Sequence, residues 1–107
     1  MTYSLESENG IMSVKLKGEM DHHSAKPVRE EIDAAITFES PVLLRLDLSE
    51  IVFCDSSGLG FIMGRYRRMH EVGGSLTLVD PSKPTMKILE LAGLDKLIRT
   101  ETTKGVY

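Results

Sequence analysis

A chain of 107 residues with 41% hydrophobic and 27% charged residues has the size of one domain and enough apolar material for one core, which excludes an intrinsically disordered chain. Thirteen Lys+Arg against sixteen Asp+Glu leave a formal charge of −3, the opposite of the basic footprint that a nucleic-acid binder needs to displace counterions. The single cysteine, Cys54, excludes an intrachain disulfide and a thiolate metal cage.

No apolar run approaches the length of a membrane span, and residues 1–9 alternate polar and apolar with two Glu, unlike a signal peptide. The expectation is a small cytoplasmic domain that binds neither membrane nor nucleic acid directly. No nucleotide-binding glycine motif is present, and no cofactor or metal is expected.

Tyr3 to Ser7 reads as a short strand, and Glu8-Asn9-Gly10 follows. Asn-Gly is a strong hairpin signal because both residues tolerate positive φ. From Ile11 to Lys17 the pattern alternates, with Met12, Val14 and Leu16 on one face, so a half-buried antiparallel partner strand is predicted, ended by Gly18. Glu19 to His23 reads as a polar loop. Ser24 is a candidate cap for a helix to Phe38, with Pro27 in its first turn and Val28, Ile32, Ala35 and Ile36 on one face.

Val42 to Leu48, almost wholly aliphatic, reads as a central strand. A second helix runs from the Ser56 region to Val72, its apolar face formed by Leu59, Ile62, Met63, Tyr66 and Met69, and Gly73-Gly74 ends it. Ser75 to Val79 is a further strand. Ser82 caps a third helix, lined by Met86, Ile88, Leu89 and Leu91 and ended by Gly93. Leu97 to Thr100 is a last short strand, followed by a tail over 102–107.

The order is ββαβαβαβ. Repeated β-α-β crossovers imply an α/β fold whose mixed, mostly parallel sheet carries the N-terminal hairpin as an antiparallel edge. In such sheets the functional loops lie beyond the carboxyl ends of the strands. Gly18 to Ser24 and Phe53 to Gly60 are the two loops that qualify, and they share one rim if their strands are neighbours.

The second loop, Phe53-Cys54-Asp55-Ser56-Ser57-Gly58-Leu59-Gly60, is the informative one. Asp55, Ser56 and Ser57 are all good N-cap types, and capping alone could account for them. The alternative is an exposed hydroxyl at a helix N-terminus, among small neighbours, within reach of a kinase. A phosphate there would accept from free helix N–H groups while Asp55 repelled it, so the fold would survive and the rim's electrostatics would change.

A third reading is a small serine hydrolase using Ser56 with His22 or His23 and Asp21. The G-x-S-x-G elbow is missing, as are insertions to wall off a substrate. His22 and His23 as a metal pair are weaker still, since adjacent side chains diverge. Gly60 and Gly64 could admit a close backbone or let the helix sit tight on its sheet. Arg65, Arg67, Arg68 and His70 read as a solvated basic face or as part of a docking surface for an acidic partner.

Two motifs, Gly18-Glu19-Met20-Asp21-His22-His23 and Asp55-Ser56-Ser57-Gly58-Leu59-Gly60 continuing through Ile62, Gly64, Arg65 and Tyr66, resemble the STAS-domain family of anti-sigma factor antagonists. Met20 stands where Leu is usual, and Cys54 where Met or another apolar residue occurs. The resemblance implies a single STAS domain over 1–107 that is not an enzyme. It implies a partner-switching cycle controlling sporulation transcription. The unmodified protein binds an anti-sigma factor that is also a GHKL-type serine kinase and so releases the sigma factor. The kinase phosphorylates Ser56, and a PP2C-type phosphatase restores the protein. Asp21, His22, His23, Asp55, Ser56, Ser57, Gly58 and Leu59 would form the partner-binding face. A STAS scaffold in a stress-signalling assembly is the alternative within the same family.

Overall fold

The computed structural model describes residues 1–103, and for His22 and Phe53 the backbone alone. The elements run β1 (Thr2–Glu8), β2 (Ile11–Met20), α1 (His22–Glu39), β3 (Leu43–Cys54), α2 (Ser56–Glu71), β4 (Ser75–Val79), α3 (Lys83–Leu91), a 3-10 turn (Leu94–Lys96) and β5 (Arg99–Glu101). Beyond Thr103 the expected tail lies outside the described residues. No helix of the described residues is long and apolar enough to cross a membrane.

The five strands lie in the order β1-β2-β3-β4-β5, with β1 antiparallel to β2 and the others parallel. The hairpin closes as its sequence requires: Asn9 (φ 52°) and Gly10 (φ 80°) both adopt positive φ between the paired residues Glu8 and Ile11. On one sheet face the alternation buries Met12, Val14 and Leu16 of β2 beside Leu44, Leu46 and Leu48 of β3 and Leu78 of β4. Helices α1 and α2 pack on that face and on each other, through Val28, Ile32 and Ile36 from α1 and Phe61, Ile62 and Met69 from α2.

Several local expectations give way to tertiary structure. Gly18 does not end β2: it sits at φ 110° inside the strand, paired with Ile51, where a register shift separates it from Glu19. The expected loop over Glu19 to His23 shrinks to one residue, because Glu19 and Met20 extend the ladder and His22 and His23 open α1. Pro27 lies past the first turn of that helix, at its sixth residue, so its missing N–H leaves the His23 carbonyl without the usual i,i+4 donor. β3 continues six residues past Leu48, because β2 supplies a paired edge that the local pattern does not reveal.

The last strand is Arg99–Glu101, preceded by the 3-10 turn. Leu91, expected to line α3, is 81% exposed, while Leu89 is buried. Arg65 is not part of a solvated face: it is 3% exposed. An added Cβ at Gly60 or Gly64 meets no atom within 4 Å, so neither glycine serves a close approach.

Candidate functional site

The neighbouring strands β2 and β3 run parallel and finish together, with Met20 and Cys54 as register partners. Each then turns into a helix through a single extended aspartate, Asp21 (φ −113°, ψ 168°) and Asp55 (φ −107°, ψ −165°). The two loops singled out from the sequence therefore share one rim, and each helix starts with the same device: a carboxylate on the orphan N–H groups of the first turn.

At α1 the cap is Asp21 and not Ser24. Its Oδ1 accepts the Ser24 N–H at 2.8 Å and lies 2.9 Å from the Ser24 hydroxyl. Those contacts, the backbone N–H foremost and the hydroxyl next, hold the Asp21 carboxyl below its ordinary value. The Ser24 hydroxyl also reaches the Glu19 carbonyl at 3.2 Å, tying the first turn of α1 back to the end of β2. His22 and His23 are the first two residues of α1, and His23 is exposed.

At α2 the Oδ1 of Asp55 accepts the N–H groups of Ser57 at 2.9 Å and Gly58 at 3.2 Å. Of the three candidate caps, Asp55 does the capping, which leaves both serine side chains out of it. Ser56 is the first helical residue, and it and Ser57 are exposed. Leu59 is half-buried and packs against the core. The sequence-level expectation that a phosphate on Ser56 would accept from free N–H groups needs correction, because Asp55 already holds those of Ser57 and Gly58.

Gly58 is a packing requirement of the site. A Cβ at this position would lie 2.5 Å from Cys54 Sγ and 3.1 Å from the Met20 carbonyl oxygen. The Cys54 thiol is buried under the first turn of α2, 3.9 Å from Met20 Sδ. Burial, and then the Asp55 charge, push the thiol above its ordinary value. The ends of β2 and β3 and the start of α2 thus meet at one tightly packed junction, from which Ser56 is exposed.

Two features of this region were not visible locally. Asp33 of α1 pairs with the buried Arg65 of α2, fixing one helix against the other. Val52, inside the extended β3, is 77% exposed. A charged residue and an aliphatic one carry the opposite expectations from sequence, and neither has a local signal that reverses them.

The family model of the STAS domain matches residues 2–105. The anti-sigma F factor antagonist of Paenibacillus polymyxa is 37% identical over 88% of this chain and 80% of its own length. The anti-sigma-B factor antagonist of Bacillus subtilis is 32% identical over 87% of this chain and 83% of its own. Among solved structures, the anti-sigma factor antagonist SpoIIAA in its unphosphorylated form superposes with a TM-score of 0.81 at 29% identity, covering 95% of this chain and 90% of that one. SpoIIAA in its phosphorylated form superposes with a TM-score of 0.76 over 95% and 93%. With a parallel sheet edged by an N-terminal hairpin, helices launched from adjacent strand ends, and relatives that carry regulatory names, this chain belongs to the STAS domain family.

Proposed function

We propose that this chain is an anti-sigma factor antagonist controlled by phosphorylation of Ser56. The observation that carries the reading is the exposed Ser56 hydroxyl at the first position of α2, freed from capping by Asp55, on the rim that also holds Asp21. In the unmodified state the rim formed by Asp21, His22, His23 and the Asp55–Leu59 segment docks an anti-sigma factor of the GHKL kinase class, and the sigma factor goes free. The kinase transfers the γ-phosphoryl group of ATP to Ser56, the complex separates, and a PP2C-type phosphatase hydrolyses the phosphoserine. The setting is the cytoplasm of a sporulating cell, in keeping with the SpoIIAA likeness.

The physics of release is repulsion in a fixed frame. A phosphoserine carries about −1.5 to −2 charges at neutral pH. Two like unit charges about 4 Å apart repel by about 4 kcal/mol at an effective dielectric of about 20, and every ~1.4 kcal/mol lost at an interface is tenfold in affinity. Asp55 cannot swing away without abandoning the two N–H groups it caps. The rim therefore becomes strongly anionic without the fold having to change.

The test is incubation of the chain with its cognate kinase and ATP, followed by mass spectrometry and binding measurements. Ser56→Ala is expected to bind the kinase and resist modification, and Ser56→Asp to bind more weakly. Phosphate found on Ser57 with Ser56 unmodified would overturn the assignment.

A further inference from the structure

The course of β3 past Leu48 carries the inference. Between Lys15 and Lys17, β2 advances two residues while β3 advances three, from Asp47 to Glu50; between Gly18 and Glu19, β2 advances one while β3 advances two, from Ile51 to Phe53. Each register shift gives β3 one surplus residue, the signature of a β-bulge. Burial follows the same count: Leu44, Leu46 and Leu48 alternate, whereas Ile51 and Cys54 each come three residues after the buried residue before them. The first surplus falls between Asp47 and Glu50, where Leu48 and Ser49 together stand opposite Leu16. The second falls at Val52, which is left 77% exposed between Ile51 at 6% and Cys54 at 7%.

A lone exposed aliphatic residue means little by itself. This one stands four residues before Ser56, on the part of β3 that β4 does not reach, because the β3–β4 ladder ends at Asp47 and Val79. Carboxylates frame it on both strands: Glu50 and Asp55 on β3 and its exit, Glu19 opposite Phe53, and Asp21 after Met20. An apolar side chain continuous with the Ser56 rim, on a stretch of β3 whose other edge β4 does not cover, fits a partner that offers an apolar pocket beside its Ser56-facing surface.

Resting on the function proposed above, we infer that Val52 is an apolar anchor for the anti-sigma factor that docks on the Ser56 rim. The bulge makes this possible by placing Val52 outside the core while Ile51 and Cys54 on either side stay buried. Burying most of an exposed valine at the centre of an interface corresponds to about tenfold or more in affinity.

The experiment measures binding of the purified anti-sigma factor of the source organism, without ATP so that no phosphate is transferred, to the wild-type chain and to the variants Val52→Ser, Leu91→Ser and Ser56→Asp. Val52→Ser is expected to bind about tenfold more weakly with an unchanged thermal melt, and Leu91→Ser, equally exposed on α3, to bind as wild type. Wild-type affinity for Val52→Ser alongside weakened Ser56→Asp would overturn the anchor and leave the rim standing. Equal losses for Val52→Ser and Leu91→Ser would also overturn it, as a general effect of surface polarity. Failure of the wild-type chain itself to bind would remove the functional reading and the anchor with it.

Discussion

Asp33 and Arg65 join α1 to α2 through an ion pair withdrawn from water on the arginine side: Nε lies 2.8 Å from Oδ1, and Nη2 donates to Oδ2 at 3.0 Å. The guanidinium also lies over the Phe61 ring, 5.0 Å from its centroid. Burial pulls the guanidinium below its ordinary value and Asp33 opposes the shift. Because both helices begin at the candidate rim, this pair sets the relative position of the two capped ends.

The two halves of the pair are unequal, and the prediction follows from that. Asp33→Ala strands a buried cation and is expected to cost about 3–5 kcal/mol. Arg65→Met keeps an apolar stem in the same space, and the partly exposed Asp33 retains Arg68 at 3.8 Å, so the loss is expected to be smaller. Urea unfolding of both variants checks the asymmetry, and equal losses would refute it.

The glycines of α2 divide in the same manner. Gly58→Ala pushes a methyl into Cys54 Sγ and the Met20 carbonyl, with an expected cost of about 1–3 kcal/mol. Gly60→Ala and Gly64→Ala add the same methyl to open space in a helix and are expected to stabilise by roughly 0.5–1 kcal/mol each. Thermal melts of the three variants decide whether space or helix propensity governs each site.

Asp21 ties stability to acid. Its carboxyl is held below the ordinary 3.8 by the Ser24 N–H and hydroxyl, so its contribution is fully present above that value and is lost as the pH falls through the depressed one. The stability gap between the wild type and Asp21→Ala is therefore expected to be constant near neutrality and to close in strong acid. Paired denaturation curves from neutral pH downward measure it; a gap that persists in strong acid would show that the ionised cap is not its source.

Cys54 gives the opposite sign at the alkaline end. Burial raises the thiol above 9.0, so the unfolded chain releases its proton first and stability declines as the pH climbs past that ordinary value toward the folded one. The decline should be absent from Cys54→Ala. In the native state the thiol should react slowly with a thiol reagent and rapidly in urea, whereas fast native labelling would contradict its burial.

Wherever a short-range rule decides the outcome, local sequence was sufficient. The Asn9-Gly10 turn, the alternation of Met12, Val14 and Leu16, the four-residue spacing of Val28, Ile32 and Ile36, and the boundaries of β4 are all read from neighbours within a turn or a strand. So was the start of α2, because the Asp55-Ser56-Ser57-Gly58 run is itself a helix-start pattern.

What depended on the assembled fold were the properties that a partner far along the chain supplies. Gly18 continues a strand because β3 pairs with it. Asp21 became the cap of α1 once β2 was seen to run to Met20. Arg65 is buried because Asp33, 32 residues away, neutralises it. Val52 is exposed because two bulges shift the phase of β3 against β2. Periodicity assigns a side chain to a face only while the register is unbroken, and propensity assigns a charge to solvent only while no opposite charge awaits it inside; both conditions are set by long-range pairing, which a linear pattern does not contain.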